Sequence, residues 1–319
     1  MLSQVVELIE NKSEFAITTH IKPDGDGVGS SLGLCWLLRS LGKNAEVIVH
    51  GDVPSAYRDL PGAEEIKDVR EVNGHYDAVF VIECSDLTRP GIKGLDNVIT
   101  VNIDHHATSE HFGTINWIDS TASAVGEMIY NLCKAIGGRI TKEIAECVYM
   151  ALVTDTGSFH FPNTSDRTLK VASELIKAGA EPTKTGNSVY YNYPWSRIEL
   201  MRQVLATVKR DETGRVATMR QTLEMEVIAG TVDGDNSGFV NIPLAAKDVL
   251  AVVYTREVGP DQYRASLRSK GCINVAKVAE KFGGGGHKNA AGLGVEGDWD
   301  QREAEIVAAL REAIVAAEN

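Results

Sequence analysis

Residues 77–106 read DAVFVIECSDLTRPGIKGLDNVITVNIDHH. Two short runs in this stretch, DAVFVIE (77–83) and NVITVNID (97–104), are rich in β-branched residues, and each ends among acidic or imidazole side chains. They read as buried strands. Moving outward, Phe15 to Thr19 and AEVIVH (45–50) have the same character. Helical apolar spacing marks residues 3–12, SSLGLCWLLRSLGK (30–43) with Gly42 as its stop, 123–136, 141–153 and 165–178, the last with Ser165 as N-cap. Strands alternating with helices predict an α/β fold with a parallel sheet. In such sheets ligands gather at the carboxyl ends of the strands, where His20, Glu83 and Asp104 to His106 all fall.

The pattern changes after Tyr190 to Pro194. One helix over roughly 195–209 leads into a second mixed region with strand-like RVATMRQ (215–221), VLAVVYTR (249–256) and QYRASLRS (262–269) and helices near 274–282 and 300–317. A chain of 319 residues exceeds what one core usually serves. The expected division is a first domain over 1–190, a linker helix over 191–210 and a smaller mixed α/β domain over 211–319.

Composition excludes several classes. With 43% hydrophobic and 24% charged residues the chain is neither disordered nor fibrous. No apolar run is long enough to span a membrane, and the amino terminus has no basic start with a cleavage site, so a cytoplasmic protein without a membrane partner is expected. Cys35, Cys84, Cys133, Cys147 and Cys272 are scattered and read as free thiols. A net charge of −12 opposes binding of long duplex nucleic acid, which needs many cationic contacts. Small phosphorylated ligands remain compatible with it, because bound cations reverse the field inside one cleft.

Three clusters carry chemistry. In THIKPDGDGVGS (19–30), Asp24 and Asp26 bracket one glycine beside His20, and Gly25, Gly27 and Gly29 would permit tight backbone paths in a turn; an Asx turn with helix capping explains the same residues. Asp104-His105-His106 follows a strand, with His111 nearby. Asp155 stands in ALVTDTGSFHF (151–161), where a helix ends. These oxygen and nitrogen donors, without thiolate, suit manganese, magnesium or cobalt. Ionised carboxylates about 4 Å apart repel by roughly 4 kcal/mol per pair at an effective dielectric near 20, so such a cluster requires positive charge. His50, His75, Trp36, Trp195 and Tyr190 to Tyr193 read as surface or packing residues, and His160 as a neighbour of the cleft.

Read in order, with VIECSDLTR (81–89) between the first two clusters and FGGGGHKNAAG (282–292) near the end, the five motifs resemble the DHH-DHHA1 phosphoesterases. The resemblance implies a parallel-sheet DHH domain followed by a DHHA1 domain that binds substrate. It implies two divalent ions, Mn2+ first, with Mg2+ or Co2+ also suited. His20, Asp24 and the acid of the second motif would hold one ion, and Asp26, His105, Asp155 and that same acid the other. Asp104 would orient His105, and His106 would face the scissile phosphate, giving the catalytic pair His106 and Asp104. The shared position is usually Asp in the family; here it is Glu83, about 1.5 Å longer, with Asp86 as a supporting acid. In the second domain, Arg264, Arg268 and Ser269 with Gly284, Gly285, Gly286 and His287 are the implied substrate contacts.

The resemblance further implies hydrolysis of short oligoribonucleotides and 3′-phosphoadenosine 5′-phosphate, by hydroxide generated at the ions, as in nanoRNase and pAp phosphatase members. A cyclic or linear dinucleotide phosphodiesterase (c-di-AMP or pApA) is the rival within the family. A family II inorganic pyrophosphatase shares only the amino-terminal motifs. A nucleotide-binding regulator that has lost catalysis is the rival of another class, resting on Glu83. The sequence leaves room for a homodimer.

Overall fold

The computed structural model describes residues 1–231, 236 and 238–318. It contains two compact units, Met1–Asn192 and Tyr193–Asn319. In the first, α1 (Leu2–Asn11), β1 (Glu14–Thr18), α2 (Gly25–Ser40), β2 (Asn44–Val49), β3 (Lys67–Asp68), β4 (Ala78–Ile82), β5 (Thr100–Asp104) and β6 (Ile115–Ile118) are followed by α3 (Val125–Ala135), α4 (Lys142–Asp155), α5 (Asp166–Ala178) and α6 (Pro182–Tyr190). The six strands form one parallel sheet in the order β3-β2-β1-β4-β5-β6. Every residue of β4 and β5 is buried, which is why their sequences read as continuous apolar runs. The order reverses between β1 and β4, and the loops leaving β1, β4 and β5 carry His20, Glu83 and His105. A crevice at such a reversal is where doubly wound sheets bind ligands.

Helix α2 begins five residues before the expected start, so Gly25, Gly27 and Gly29 lie inside it instead of in a turn. Their role is close packing. A Cβ on Gly29 would stand 2.5 Å from the Cys147 carbonyl of α4, one on Gly25 2.4 Å from the Thr154 side chain, and one on Gly27 2.6 Å from the Thr19 hydroxyl. Helix propensity disfavours glycine by about 1 kcal/mol per residue. Burial of the rest of α2 against α4 and the sheet outweighs that cost: Leu34, Leu37 and Leu38 are fully buried.

The second unit comprises α7 (Trp195–Ala206), β7 (Lys209–Arg210), β8 (Val216–Gln221), α8 (Leu223–Ala229), α9 (Asn241–Leu244), β9 (Ala251–Gly259), β10 (Gln262–Ser269), α10 (Val275–Glu280), β11 (Gly285–His287), β12 (Ala290–Glu296) and α11 (Trp299–Glu318). Its mixed sheet runs β11-β12-β10-β9-β8-β7, with only the β8–β9 pair parallel. Helix α7, expected as a linker, instead buries Leu200 and Val204 in this unit's core beside Met219 and Val252. Part of the glycine run forms edge strand β11, paired with β12.

Candidate metal centre

Asp24 is the N-cap of α2, and its Oδ1 accepts from the Asp26 and Gly27 amides at 3.0 Å each. The capping reading and the donor reading of this acid are therefore compatible. Asp26, in the first turn of the helix, is fully buried. Its Oδ1 accepts from Ser30 Oγ at 2.7 Å and the Gly126 amide at 3.0 Å, and its Oδ2 from the Val125 amide at 2.7 Å. Helix α3 has Ala124 at its N-cap and no capping side chain of its own. Asp26 thus supplies the cap from another helix.

Glu83 follows β4 with φ +57. Left-handed backbone is uncommon for a long side chain and costs on the order of 1–3 kcal/mol, a strain found where function fixes a residue. The residue is 4% exposed, and its Oε2 has no hydrogen-bond partner. Burial, and then the charges of Asp24, Asp26 and Asp155, drive its pKa well above the ordinary value. Asp155, the last residue of α4, is pushed up to about 7 by burial first and by Asp26 next. Burial also raises Asp26.

Two imidazoles face these acids. His105 Nδ1 lies 3.2 Å from the Ala122 carbonyl and His20 Nδ1 3.0 Å from that of Ile21. A carbonyl only accepts, so Nδ1 carries the proton in each ring and Nε2 presents its lone pair inward. Nε2 of His105 is buried without a hydrogen-bond partner, 3.6 Å from Asp155 Oδ2 and 3.9 Å from Asp26 Oδ2. Nε2 of His20 lies 3.7 Å from Glu83 Oε2. Donor atoms of His20, Asp24 and Glu83 fall within 4.8 Å of one another, and so do those of Asp26, Glu83, His105 and Asp155. Four crowded carboxylates, the buried and unpartnered Nε2 of His105 and the inward Nε2 of His20 are a donor set whose charge a cation would balance. The residues present fit divalent ions.

Asp104 differs from its expected role. Its Oδ1 accepts from His106 Nδ1 at 2.8 Å and from the backbone amides of His105 and His106 at 2.8 and 3.2 Å. It therefore orients the ring of His106, while the ring of His105 is held by Ala122. The hydrogen bond to Asp104 raises the pKa of His106 above the ordinary imidazole value. Asp86 stands apart from the donors, accepting from the Thr88 amide at 2.8 Å in a local turn. His111 and His160 are exposed, outside the donor groups found among the described residues.

In the second unit, Arg264, Ser266 and Arg268 alternate with the buried Ala265, Leu267 and Ser269 along β10. Ser269, expected to contact substrate, is buried; its hydroxyl donates to the Ile273 carbonyl at 2.8 Å and accepts from Asn289 Nδ2 at 3.0 Å. The Gly284 amide, expected to meet a phosphate, donates to the Ala279 carbonyl at 2.9 Å. Gly285, Gly286 and His287 are exposed. Arg256, unnoticed in the sequence, lies opposite Arg264 in the β9–β10 register. Among the described residues Arg256, Arg264 and Arg268 have no ion pair, whereas Arg215, Arg220, Arg302 and Arg311 are paired with acids. An unneutralised arginine face is suited to anions. Knowledge of the strand register was the missing signal.

The fold and the donor groups define a two-domain chain of the DHH type. The profile of the DHH family, N-terminal domain, matches residues 14–152, and that of the DHHA1 domain residues 206–316. The chain is 32% identical to the bifunctional oligoribonuclease and PAP phosphatase NrnA of Thermus thermophilus, across 99% of this chain and 94% of that relative. Identity to the protein of the same name from Bacillus subtilis is 29%, across 95% and 96%. An exopolyphosphatase-related protein from Bacteroides fragilis superposes with a TM-score of 0.91 at 28% identity, over 100% of this chain and 97% of that one. The chain belongs to the DHH family of metal-dependent phosphoesterases, with a carboxyl-terminal DHHA1 domain. No helix among the described residues is long and apolar enough to cross a membrane.

Proposed function

We propose that this protein hydrolyses the terminal phosphate ester of short oligoribonucleotides and of 3′-phosphoadenosine 5′-phosphate, with two divalent ions, Mn2+ by preference. The convergence of the unpartnered Nε2 of His105 and Oε2 of Glu83 on the carboxylates of Asp26 and Asp155 carries this reading. The names of the Thermus and Bacillus relatives supply the substrate class. His20, Asp24 and Glu83 would hold one ion, and Asp26, His105, Asp155 and Glu83 the other. Ions so bound lower the pKa of water and polarise a phosphoryl oxygen.

The remaining chemistry belongs to side chains. Asp104 fixes the ring of His106 and keeps it protonated to higher pH, so His106 serves as the donor to the charged phosphate or the departing oxygen. The uncompensated Arg264 and Arg268, with Gly285, Gly286 and His287, give the second unit a surface for a substrate phosphate. Mn2+-dependent release of mononucleotide or phosphate tests the reading, on di- to pentaribonucleotides, 3′-phosphoadenosine 5′-phosphate, pApA and cyclic di-AMP in parallel. Turnover confined to cyclic di-AMP would replace it with a cyclic-dinucleotide phosphodiesterase. Nucleotide binding without any turnover would replace it with a regulator.

A further inference from the structure

Resting on the reading of two ion sites, we propose that the segment 119–126, clamped by Arg167, Glu127 and Asn163, preorganises one ion site and leaves the other loose. Arg167 is then a positioning residue for a single ion. The segment contributes no donor to either group, yet it touches two of the four side chains of one group and is linked to a third, Asp155, through Asn163. The Ala122 carbonyl takes the Nδ1 proton of His105. The Val125 and Gly126 amides hold both oxygens of Asp26. The Ser123 carbonyl accepts from Asn163 Nδ2 at 2.9 Å, and the same amide nitrogen reaches the Asp155 carbonyl oxygen at 3.1 Å and Asp155 Oδ2 at 3.4 Å.

The segment is itself fixed from outside. Glu127, fully buried, accepts from the Ser123 amide at 3.1 Å and from its hydroxyl at 2.7 Å through Oε2. Its other oxygen pairs with Arg167 Nε. The same guanidinium donates through an Nη to the Thr121 carbonyl at 2.9 Å. Arg167 thereby ties α5 to α3 and to the turn between β6 and α3. Asp119 closes that turn by accepting from the Thr121 amide at 3.0 Å.

Among the described residues the other group has less support of this kind: the loop of His20 is tied by one long-range backbone bond, from the Ile21 amide to the Arg89 carbonyl at 2.9 Å. His20 is held by the carbonyl of its own neighbour, Ile21. Asp24 is exposed; its Oδ1 bonds to amides of its own helix turn, and its carboxyl meets that of Glu83, the residue both groups share. Donors held by long-range contacts lose little freedom when an ion arrives, whereas donors on a local loop must be ordered by it. The two sites therefore differ in affinity, and the tighter one contains Asp26, His105 and Asp155.

The experiment is Mn2+ titration of the full-length protein by calorimetry, with free Mn2+ followed by electron paramagnetic resonance. The native chain is expected to show one tight and one weaker site. Arg167→Gln should weaken the tight site by about tenfold or more, the usual effect of removing a partner that orients a metal ligand, and leave the weak site within about twofold. Arg167→Lys, which keeps the charge opposite Glu127, should recover part of the loss. In the metal-free protein, 15N shifts of His105 should move from a single Nδ1–H tautomer in the native chain to a tautomer mixture in Arg167→Gln. Asn163→Ala should likewise weaken only the tight site, and it decides the matter if Arg167→Gln does not fold. Equal weakening of both sites, unchanged affinities, or an unaltered His105 tautomer would overturn the positioning role while leaving the two-ion reading intact. Absence of Mn2+ binding to the native chain would overturn both.

Discussion

Replacing Asp155 with Asn should stabilise the metal-free protein at alkaline pH, although it removes a proposed ion ligand. The folded state raises this carboxyl from the ordinary 3.8 to about 7. A raised pKa means that the folded chain holds the proton more tightly than the unfolded chain. The stability linked to that proton is complete below about pH 4 and is lost as pH rises through about 7. At roughly 1.4 kcal/mol per pH unit, the loss reaches about 4 kcal/mol by pH 8. For a unit of this size that corresponds to a melting shift of about 10 °C. Asparagine carries no charge to bury, so the variant should lack this part of the pH slope and melt higher than the native chain at about pH 8 without ions. Saturating Mn2+ should reverse the order, because only the native chain gains the full ion-binding energy. Calorimetric melting at pH 5 and 8, with chelator and with Mn2+, measures all four values. A metal-free variant melting at or below the native chain at pH 8, with the native pH slope, would refute the electrostatic account.

His105→Ala should lose one bound ion per chain and its turnover, as read by elemental analysis and by release of phosphate from 3′-phosphoadenosine 5′-phosphate. Glu83→Ala should lose at least one ion, since the Glu83 carboxylate occurs in each of the three donor groups found among the described residues; retention of two ions would remove it from the shared position. Asp104→Asn should return the pKa of His106 toward its ordinary 6.5, shifting the alkaline limb of the kcat profile to lower pH because the protonated ring is lost earlier. Arg268→Ala should raise KM in proportion to a loss of a few kcal/mol from a charge-assisted contact, with Mn2+ affinity unchanged in a parallel titration.

The sheet was legible because β4 and β5 are buried on both faces, and their apolar runs could serve nothing else in a chain with these turns. The residues proposed as donors stood out in the sequence because they follow such strands or lie at the ends of α2 and α4. The start of α2 was hidden by glycines that disfavour helix alone; two of them, Gly25 and Gly29, are explained by Thr154 and Cys147, more than a hundred positions away in the chain. Adjacent histidines could not reveal which ring Asp104 holds, since spacing leaves both within reach. The supports of the site were less visible still. Ala122 acts through a carbonyl that every residue possesses, and Arg167 through partners that only the folded turn brings to it. Strand β11 escaped notice because glycine has little tendency toward strands, and pairing with β12 supplies what the residue type does not.

The contact between α2 and α4 has a consequence at the far end of both helices. Asp26 lies in the first turn of α2 and Asp155 is the final residue of α4, so the two helices act as the arms of a caliper with the acids near its tips. Gly29 brings the backbones of the two helices together, since a Cβ there would stand 2.5 Å from the Cys147 carbonyl. A single added methyl group there would spread the arms, and the gap between the two carboxylates would widen with no acid or imidazole replaced. The width of the site is thus written in a backbone contact that contains no functional group.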